Sequence, residues 1–224
     1  MAQRTEIHRV YTRKTKELAS LYPFVFSVEN ALRHSAAEHY SNVFGGNAWW
    51  TIIRDAVDNG KDESDFSPNR AGNKTIKGTA VTPKFVKQLF YNFSNLSSSQ
   101  RRSIQGANVV DEIYFCFPLG GLVYLIEADW NLSRGIFCGD EQLNQPLNKR
   151  DMLNWFRILL AARNELFHSK AIGDLAKVSR ACEAILDKLG FHLGDFDDCL
   201  AATQCKRTSS VTARASRHVV PPYV

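Results

Sequence analysis

Apolar residues recur every three or four positions along most of this chain, which is the spacing that buries one face of an α-helix. The pattern is clearest over residues 150–169, where one stripe is formed by Trp155, Leu159, Ala162 and Leu166. Charged and amide side chains occupy many of the positions between them. The sequence therefore predicts an amphipathic helix that packs this stripe against a core.

The same spacing, together with capping and stop signals, predicts helices in the rest of the chain. Their expected ranges are residues 3–20, 23–44, 48–57, 121–130 and 175–189, with two more opened by Thr82-Pro83 and by Ser97. Pro23 is expected to break the chain or to start a helix, because proline lacks an N–H donor and its ring clashes with the preceding turn. Residues 109–118 suit either a strand or a helix. We interpret the whole chain as an all-α fold.

The composition changes in two places. Residues 58–81 contain glycine and proline among polar side chains, with few apolar residues, which predicts a long loop insertion. Residues 206–224 hold four basic residues and no acidic one, whereas the remaining 205 residues hold 24 basic and 23 acidic residues. This basic tail is either a solvated, disordered end or an arm that attracts phosphates. We therefore predict one helical domain over residues 1–205 and a flexible tail over residues 206–224.

Composition narrows the class of protein. A hydrophobic content of 44% and an aromatic content of 11% are typical of a globular chain. The sequence has no apolar run of membrane-spanning length and no apolar signal-peptide core near its first residue. The five cysteines form no CxxC pair and are odd in number, which favours free thiols in a reducing compartment. We expect a cytoplasmic protein with no membrane partner.

Several motifs of catalysis and cofactor binding are missing from the sequence. It contains neither a GxxxxGKS/T phosphate loop nor a GxGxxG turn after a predicted strand. The HExxH pattern of zinc proteases and the GxSxG turn that carries a nucleophilic serine are missing too. We therefore expect no metal ion and no cofactor.

One set of residues with chemical potential lies at the end of the predicted helix 150–169. Arg163, Asn164 and His168 bring a guanidinium, an amide and an imidazole within six residues. Asn164 and His168 are four apart and share a helix face, whereas Arg163 lies about 140° from His168 around the axis. The three groups converge on one phosphate only if the helix relaxes after Phe167 or if a second copy supplies part of the site.

On spacing alone, two interpretations of this set stay open. In the first, Arg163 and His168 only finish a helix, where cations meet the last carbonyl groups and the negative end of the helix dipole. In the second, they belong to a phosphate site. A looser arginine–histidine match, Arg33 and His39, lies in the predicted second helix and shows how easily the relaxed pattern arises.

The six residues from Arg163 to His168, RNELFH, resemble the RNxxxH signature of HEPN domains. These are helical ribonuclease modules of abortive-infection proteins, toxin–antitoxin toxins and type VI CRISPR effectors. Some HEPN toxins carry a tyrosine two residues after the histidine, where a partner nucleotidyltransferase modifies it. This chain has Lys170 at that position, so we do not expect regulation by that route.

More of the chain agrees with the family than these six residues. The segment ENALR at residues 29–33, followed by Trp49-Trp50, is similar to the opening helices of Abi-like HEPN proteins. Residues 122–130 and the RNxxxH helix then follow in the expected order. The resemblance covers roughly residues 20–190, with residues 58–81 as an insertion.

The resemblance implies a HEPN-like helical bundle that acts as a metal-independent endoribonuclease. In this role His168 removes the proton of an RNA 2′-hydroxyl, and an imidazole suits this step because it exchanges protons near neutral pH. Arg163 stabilises the negative charge of the phosphorane, and Asn164 orients the imidazole or the phosphate. The expected products carry a 2′,3′-cyclic phosphate and a 5′-hydroxyl.

The resemblance also implies partners. Two RNxxxH helices usually meet in the family to form one composite cleft, and this chain has one convincing copy, so we expect a homodimer. The other expected partners are RNA and an antitoxin or regulatory protein, within a phage-defence or toxin–antitoxin system. Glu29 and Arg33 would line the cleft or contact RNA, or else form an ion pair within their helix. The alternative function is a catalytically inactive HEPN-type module for RNA binding or dimerisation, and a structural helical adaptor is the third.

Overall fold

The computed structural model of this chain describes residues 2–65, 72, 74–105, 112–137, 147–168 and 172–191. These residues are mostly helical and include one two-stranded sheet, so the all-α class is confirmed at this coarse level. The helices are α1 (Ala2–Val43), α2 (Thr51–Asp58), α3 (Pro83–Ser94), α4 (Ser98–Ser103), α5 (Glu112–Cys116), α6 (Leu119–Ala128), α7 (Trp130–Ser133), α8 (Lys149–Phe167) and α9 (Leu175–Leu189). The strands are β1 (Lys74–Ile76) and β2 (Thr79–Val81), and short 3₁₀ turns lie at Glu63–Asp65 and Arg134–Ile136.

The predicted break at Pro23 is wrong, because α1 continues through this residue and is 42 residues long. A proline inside a helix removes one backbone hydrogen bond and costs about 3 kcal/mol. Leu21, Phe24 and Val25 lie beside it and are almost fully buried. Each buried apolar side chain of this size contributes about 1.5–3 kcal/mol, so burial offsets the cost of the proline. The Ser27 hydroxyl also donates a hydrogen bond of 2.8 Å to the Pro23 carbonyl oxygen.

The chain divides into two compact units, and the boundaries between them fall inside α1 and inside α8. We call the first the terminal unit, which comprises Met1–Val28 and Arg157–Val224. The second, the central unit, comprises Glu29–Phe156. The terminal unit therefore contains the first part of α1, the last part of α8 and the whole of α9.

In the terminal unit, α9 begins and ends at the predicted signals. The Asp174 side chain accepts a hydrogen bond of 2.9 Å from the Lys177 amide, and Gly190 ends the helix with a φ of 76°.

Cys182 lies on the buried face of α9, and burial raises the pKa of its thiol to about 12. The thiol therefore stays protonated at neutral pH and packs as a small apolar side chain.

In the central unit, Tyr40 is surrounded by other aromatic rings. Its ring centroid lies within 6.3 Å of those of Phe44, Trp49, Phe85 and Tyr114. Aromatic pairs at these separations, tilted or offset, stabilise a core beyond the area that they bury. The Tyr40 hydroxyl is hydrogen-bonded to Ser133 over 2.8 Å, and burial raises the pKa of the phenol above its usual range. This phenol therefore stays neutral inside the core.

Local capping signals predicted the openings of α3 and α4 correctly. The Thr82 hydroxyl accepts a hydrogen bond of 3.3 Å from the Phe85 amide, and Pro83 is the first residue of α3. Ser97 and Gln100 form a reciprocal capping box at the start of α4. In each case one or two side chains within four residues satisfy the exposed amides of the first turn, so the signal is readable without tertiary structure.

Of the ambiguous segment at residues 109–118, the structure describes residues 112–118, and five of these form the helix α5 (Glu112–Cys116). The helix predicted from Ala48 begins three residues later, at Thr51, and Trp49 and Trp50 occupy the turn before it. Both tryptophans are 1% exposed, so they belong to the core of the central unit.

The predicted loop at residues 58–81 contains the antiparallel hairpin of β1 and β2. Lys77 and Gly78 form its two-residue turn, with positive φ angles of 47° and 85°. Turns with positive φ at both central residues match the twist of paired strands. The hairpin buries Ile76 and Val81. Periodicity did not predict it, because each three-residue strand carries a single buried residue and the turn is Lys-Gly rather than Asn-Gly.

Candidate active site at the end of α8

The apolar stripe predicted for α8 is buried in the structure. Leu159, Ala162 and Leu166 are each at most 8% exposed, and Trp155 is half-buried. Burial of one stripe fixes the rotation of a helix about its own axis, since any other rotation would bring these side chains into water. The remaining faces of the last two turns of α8, which carry the candidate residues, are therefore held in a defined orientation.

The helical hydrogen-bonding pattern of α8 extends to His168. The His168 amide donates to the Asn164 carbonyl oxygen over 3.0 Å, which is the bond between residues four apart that defines an α-helix. Asn164 and His168 therefore stay on one face, and both side chains are exposed. Relaxation of the helix between Phe167 and His168, one of the two ways to bring the three candidate groups together, does not occur in this structure.

Arg163 lies on the neighbouring face, against Phe167. Its guanidinium carbon is 4.4 Å from the centroid of the Phe167 ring, and the two residues are four apart in α8. Arg163 is half-buried, as its predicted position beside the apolar stripe implies. In such a stack the ring covers one flat face of the guanidinium, whose N–H donors lie in the plane of the group. The Arg163–Phe167 row and the Asn164–His168 row are about 100° apart around the helix axis.

Three exposed aromatic rings of the terminal unit form what we call the aromatic patch: Tyr22, Phe26 and Phe167. Tyr22 and Phe26 are one turn apart in α1, with ring centroids 5.9 Å apart and planes 11° from parallel. The Tyr22 and Phe167 centroids are 6.4 Å apart. The exposed fractions are 47% for Tyr22, 50% for Phe26 and 59% for Phe167. The patch thus shares Phe167 with the Arg163 stack.

Sequence reasoning did not predict the aromatic patch. Tyr22, Phe24, Val25 and Phe26 read as one apolar run, and an apolar run predicts burial of all its members. In the structure Phe24 and Val25 are buried, whereas Tyr22 and Phe26 are half exposed. The signal that distinguishes them is their spacing of four, which places the two rings on one side of a continuous helix. That signal was hidden by the break expected at Pro23.

Glu29 and Arg33, the other candidates from the sequence, lie in the central unit and form the ion pair within α1. Arg33 is 5% exposed. Its Nη1 donates to the carbonyl oxygen of Tyr114 and, over 2.7 Å, to that of Phe117, so the guanidinium ties α1 to the end of α5. The structure thus shows the ion pair that was one of the alternatives for Glu29 and Arg33, and contact of either residue with RNA stays a prediction.

The remaining predictions from the sequence concern metal ions, membrane-spanning helices, free cysteines and the basic tail. Within the ranges that the structure describes, no three His, Cys, Asp or Glu side chains group closely enough to hold a metal ion. Across those same ranges, no helix combines the length and the apolar character needed to cross a membrane. Cys116 and Cys182 carry free thiols. Lys170 and the basic tail at residues 206–224 lie outside the described residues.

Comparison of the chain with protein-family models, with curated proteins and with solved structures gives no match. The residues that could carry a function lie at the end of α8, where an exposed imidazole and amide share one face and a stacked guanidinium lies on the next.

Proposed function

We propose that this protein is a HEPN-like endoribonuclease that cleaves RNA without a metal ion, with Arg163, Asn164 and His168 as its catalytic residues. The observation that carries the proposal is the exposed pair of Asn164 and His168 on one face of the last turn of α8. A cation, an amide and a group that transfers protons near neutral pH are the parts needed to break a phosphodiester beside a 2′-hydroxyl.

In the proposed reaction the His168 imidazole takes the proton of the 2′-hydroxyl, and the 2′-oxygen attacks the adjacent phosphorus. The phosphorane that forms carries extra negative charge on its oxygens, which the Arg163 guanidinium stabilises through its N–H donors. The bond from phosphorus to the 5′-oxygen then breaks, and the 5′-oxygen takes up a proton. The products are a 2′,3′-cyclic phosphate and a 5′-hydroxyl.

The geometry of α8 supports a site shared between two copies of the chain. Because His168 keeps its helical bond to Asn164, its side chain projects about 140° away from that of Arg163 around the axis. We propose that His168 of one copy and Arg163 of the other act on the same phosphate in a homodimer. A twofold axis that brings two α8 ends together would create two such arginine–histidine pairs.

The distribution of charge supports a polyanionic substrate. In the sequence, the ranges of the terminal unit (residues 1–28 and 157–224) hold 15 lysines and arginines against nine aspartates and glutamates. The central unit holds 13 against 14. The excess of positive charge in the sequence therefore belongs to the ranges of the terminal unit, and a net positive charge attracts nucleic acid.

We further propose that the activity serves a phage-defence or toxin–antitoxin system in the cytoplasm. An enzyme that cleaves cellular RNA harms the cell that makes it, so an antitoxin or another regulatory partner would hold it inactive. This part of the proposal follows from the resemblance of RNELFH to the HEPN signature.

The test is RNA cleavage by purified protein in EDTA. We expect the wild type to cleave cellular RNA, and we expect His168→Ala to lose this activity. His34→Ala is the matched control, because His34 is an exposed histidine of the central unit. The cut ends should carry a 2′,3′-cyclic phosphate, and a 2′-deoxy nucleotide at the cut position should block cleavage, since it lacks the attacking oxygen.

Expression in a bacterial host provides the second part of the test. Growth arrest and new RNA fragments with the wild type, but not with His168→Ala, would support the proposal. Equal cleavage by wild type and His168→Ala would overturn the assignment of His168. RNA binding with no cleavage would favour the catalytically inactive module, and a monomer with no affinity for RNA would favour a helical adaptor.

A further inference from the structure

We infer that the aromatic patch of Tyr22, Phe26 and Phe167 is a platform on which unpaired RNA bases stack beside the phosphate that is cut. The inference rests on the proposed ribonuclease function and adds a substrate class to it, namely single-stranded RNA. It also assigns positioning roles to Tyr22 and Phe26, two residues of α1 that lie outside the RNxxxH motif.

The three rings of the aromatic patch are accessible to a ligand. Tyr22, Phe26 and Phe167 each leave about half of their surface in water, although large aromatic side chains are usually buried. Such side chains bind unpaired bases by stacking, and the contact tolerates any base because every base has a π face. The Tyr22 and Phe26 rings are nearly parallel, so they can contact bases on the same side of α1.

The aromatic patch is continuous with the candidate site. Phe167 immediately precedes His168, lies under the Arg163 guanidinium at 4.4 Å, and is also 6.4 Å from the Tyr22 ring. A base on Tyr22 would therefore belong to a nucleotide close to the phosphate at the end of α8. Stacked bases on one side and a fixed guanidinium on the other would hold the backbone in register for attack.

The chemistry of the patch suits an unpaired nucleic acid. In the sequence the ranges of the terminal unit carry a net positive charge, and the Arg163 guanidinium lies on one of the three rings. Aromatic rings interleaved with positive charge are the chemistry of single-stranded nucleic acid binding. Double-stranded RNA satisfies this surface poorly, because its bases are already stacked on one another and hydrogen-bonded in pairs.

The experiment distinguishes binding through base stacking from binding through phosphate contacts. All proteins carry His168→Ala, so that RNA is bound without being cut. Tyr22→Leu and Phe26→Leu are combined, because leucine keeps the apolar surface and removes the π face. The matched control is Tyr124→Leu, which alters a tyrosine of the central unit that is 55% exposed. Dissociation constants are measured for a short single-stranded RNA, for an abasic strand of the same length and for an RNA duplex.

We expect the Tyr22→Leu/Phe26→Leu protein to bind the single-stranded RNA about 10- to 100-fold more weakly than its parent, as loss of base stacking predicts. Binding of the abasic strand and of the duplex should change by less than about twofold, because phosphate contacts remain. Tyr124→Leu should leave all three dissociation constants unchanged. Circular dichroism verifies that each variant is folded.

Three outcomes would overturn the platform. The first is unchanged affinity for single-stranded RNA, and the second is an equal loss for the abasic strand, which would mean that the rings act through fold or charge. The third is loss of a dimer in the Tyr22→Leu/Phe26→Leu protein but not in Tyr124→Leu, which would assign the patch to an interface between copies. Failure of the platform is distinct from failure of the proposed function, because cleavage is assayed separately in protein that retains His168.

Discussion

Two regions of this protein hold an arginine and a histidine close together in sequence, and the two pairs differ in burial and in contacts. In the central unit, Arg33 is 5% exposed, pairs with Glu29 and donates to backbone carbonyl oxygens. His39 contacts the Leu132 carbonyl oxygen through Nε2 over 2.7 Å. In the terminal unit, Arg163 is stacked and half-buried, and His168 is exposed.

Residue type and spacing therefore do not decide the role of an arginine–histidine pair on their own. Arg33 and His39 satisfy backbone carbonyl groups of other elements of the central unit, so their polar atoms hold the fold together. His168 ends its helix with the side chain in water, where a substrate can reach it. Burial and partners, which only the folded chain provides, separate the two cases.

The largest expected effect concerns the two histidines. His168→Ala should lower the rate of RNA cleavage by about 10²–10⁴-fold, because proton transfer is lost, and should leave thermal stability almost unchanged. His39→Ala should leave the rate per folded molecule unchanged and lower the free energy of unfolding by about 1–2 kcal/mol, since the Leu132 carbonyl loses its partner. Single-turnover cleavage and thermal unfolding of both variants measure this. A folded His39→Ala protein that no longer cleaves RNA would contradict the purely structural role of His39.

The next largest effect is expected when two inactive variants are mixed, which tests whether Arg163 and His168 of one site belong to one chain or to two. Arg163→Ala and His168→Ala proteins should each be inactive, and mixing them in equal amounts should restore about a quarter of wild-type activity. Half of the mixed dimers would be heterodimers, and each heterodimer would have one of its two sites intact. The controls are each variant carried alone through the same exchange of subunits. A mixture as inactive as its components would place both residues of a site in one chain.

The two arginines should differ in their contribution to stability. Arg33→Ala should lower the free energy of unfolding by about 3 kcal/mol, because the nearly buried Glu29 carboxylate loses its partner. Arg163→Ala should cost about 0.5–1 kcal/mol, the value of a cation–π contact at a partly exposed site. Denaturant titration of both variants provides the numbers. Equal losses would show that Arg163 is also a structural residue and would weaken its assignment to the site.

The smallest effect tests how firmly His39 is held. A methyl group added at Gly135 would come within 2.5 Å of the His39 ring, whereas at Gly173 it would meet no atom within 4 Å. We expect Gly135→Ala to cost about 1 kcal/mol or somewhat more, because the ring must move away from the Leu132 carbonyl oxygen. Gly173→Ala, the matched control, should change stability by less than about 0.5 kcal/mol. Thermal unfolding that does not distinguish the two would mean that the His39 ring is mobile.

The parts of the fold that sequence predicted are those set by neighbours along the chain. Thr82 caps α3, Asp174 caps α9, and Gly190 ends α9, each within a few residues of the signal. The path of α1 through Pro23 was missed, because the burial of distant apolar partners outweighs a local penalty. The β1–β2 hairpin was missed since its strands are too short to show a period.

The candidate site shows the same division. The residue types and the shared face of Asn164 and His168 follow from spacing, and the structure keeps them on that face. The aromatic patch depends on contact between Tyr22 and Phe167, which no local pattern predicts. For Glu29 and Arg33 the sequence left an ion pair and a cleft position open, and burial of Arg33 was needed to show the ion pair.

The contact between Tyr22 and Phe167 has a consequence for synthesis of the protein. Translation proceeds at about 5–20 residues per second, so Tyr22 is added to the chain roughly 7–30 s before Phe167. A nascent chain that contains Tyr22 and Phe26 still lacks the arginine, the amide and the imidazole at the end of α8. Under the proposed function, a chain released before Arg163 is added would therefore lack every proposed catalytic group and would not cleave RNA.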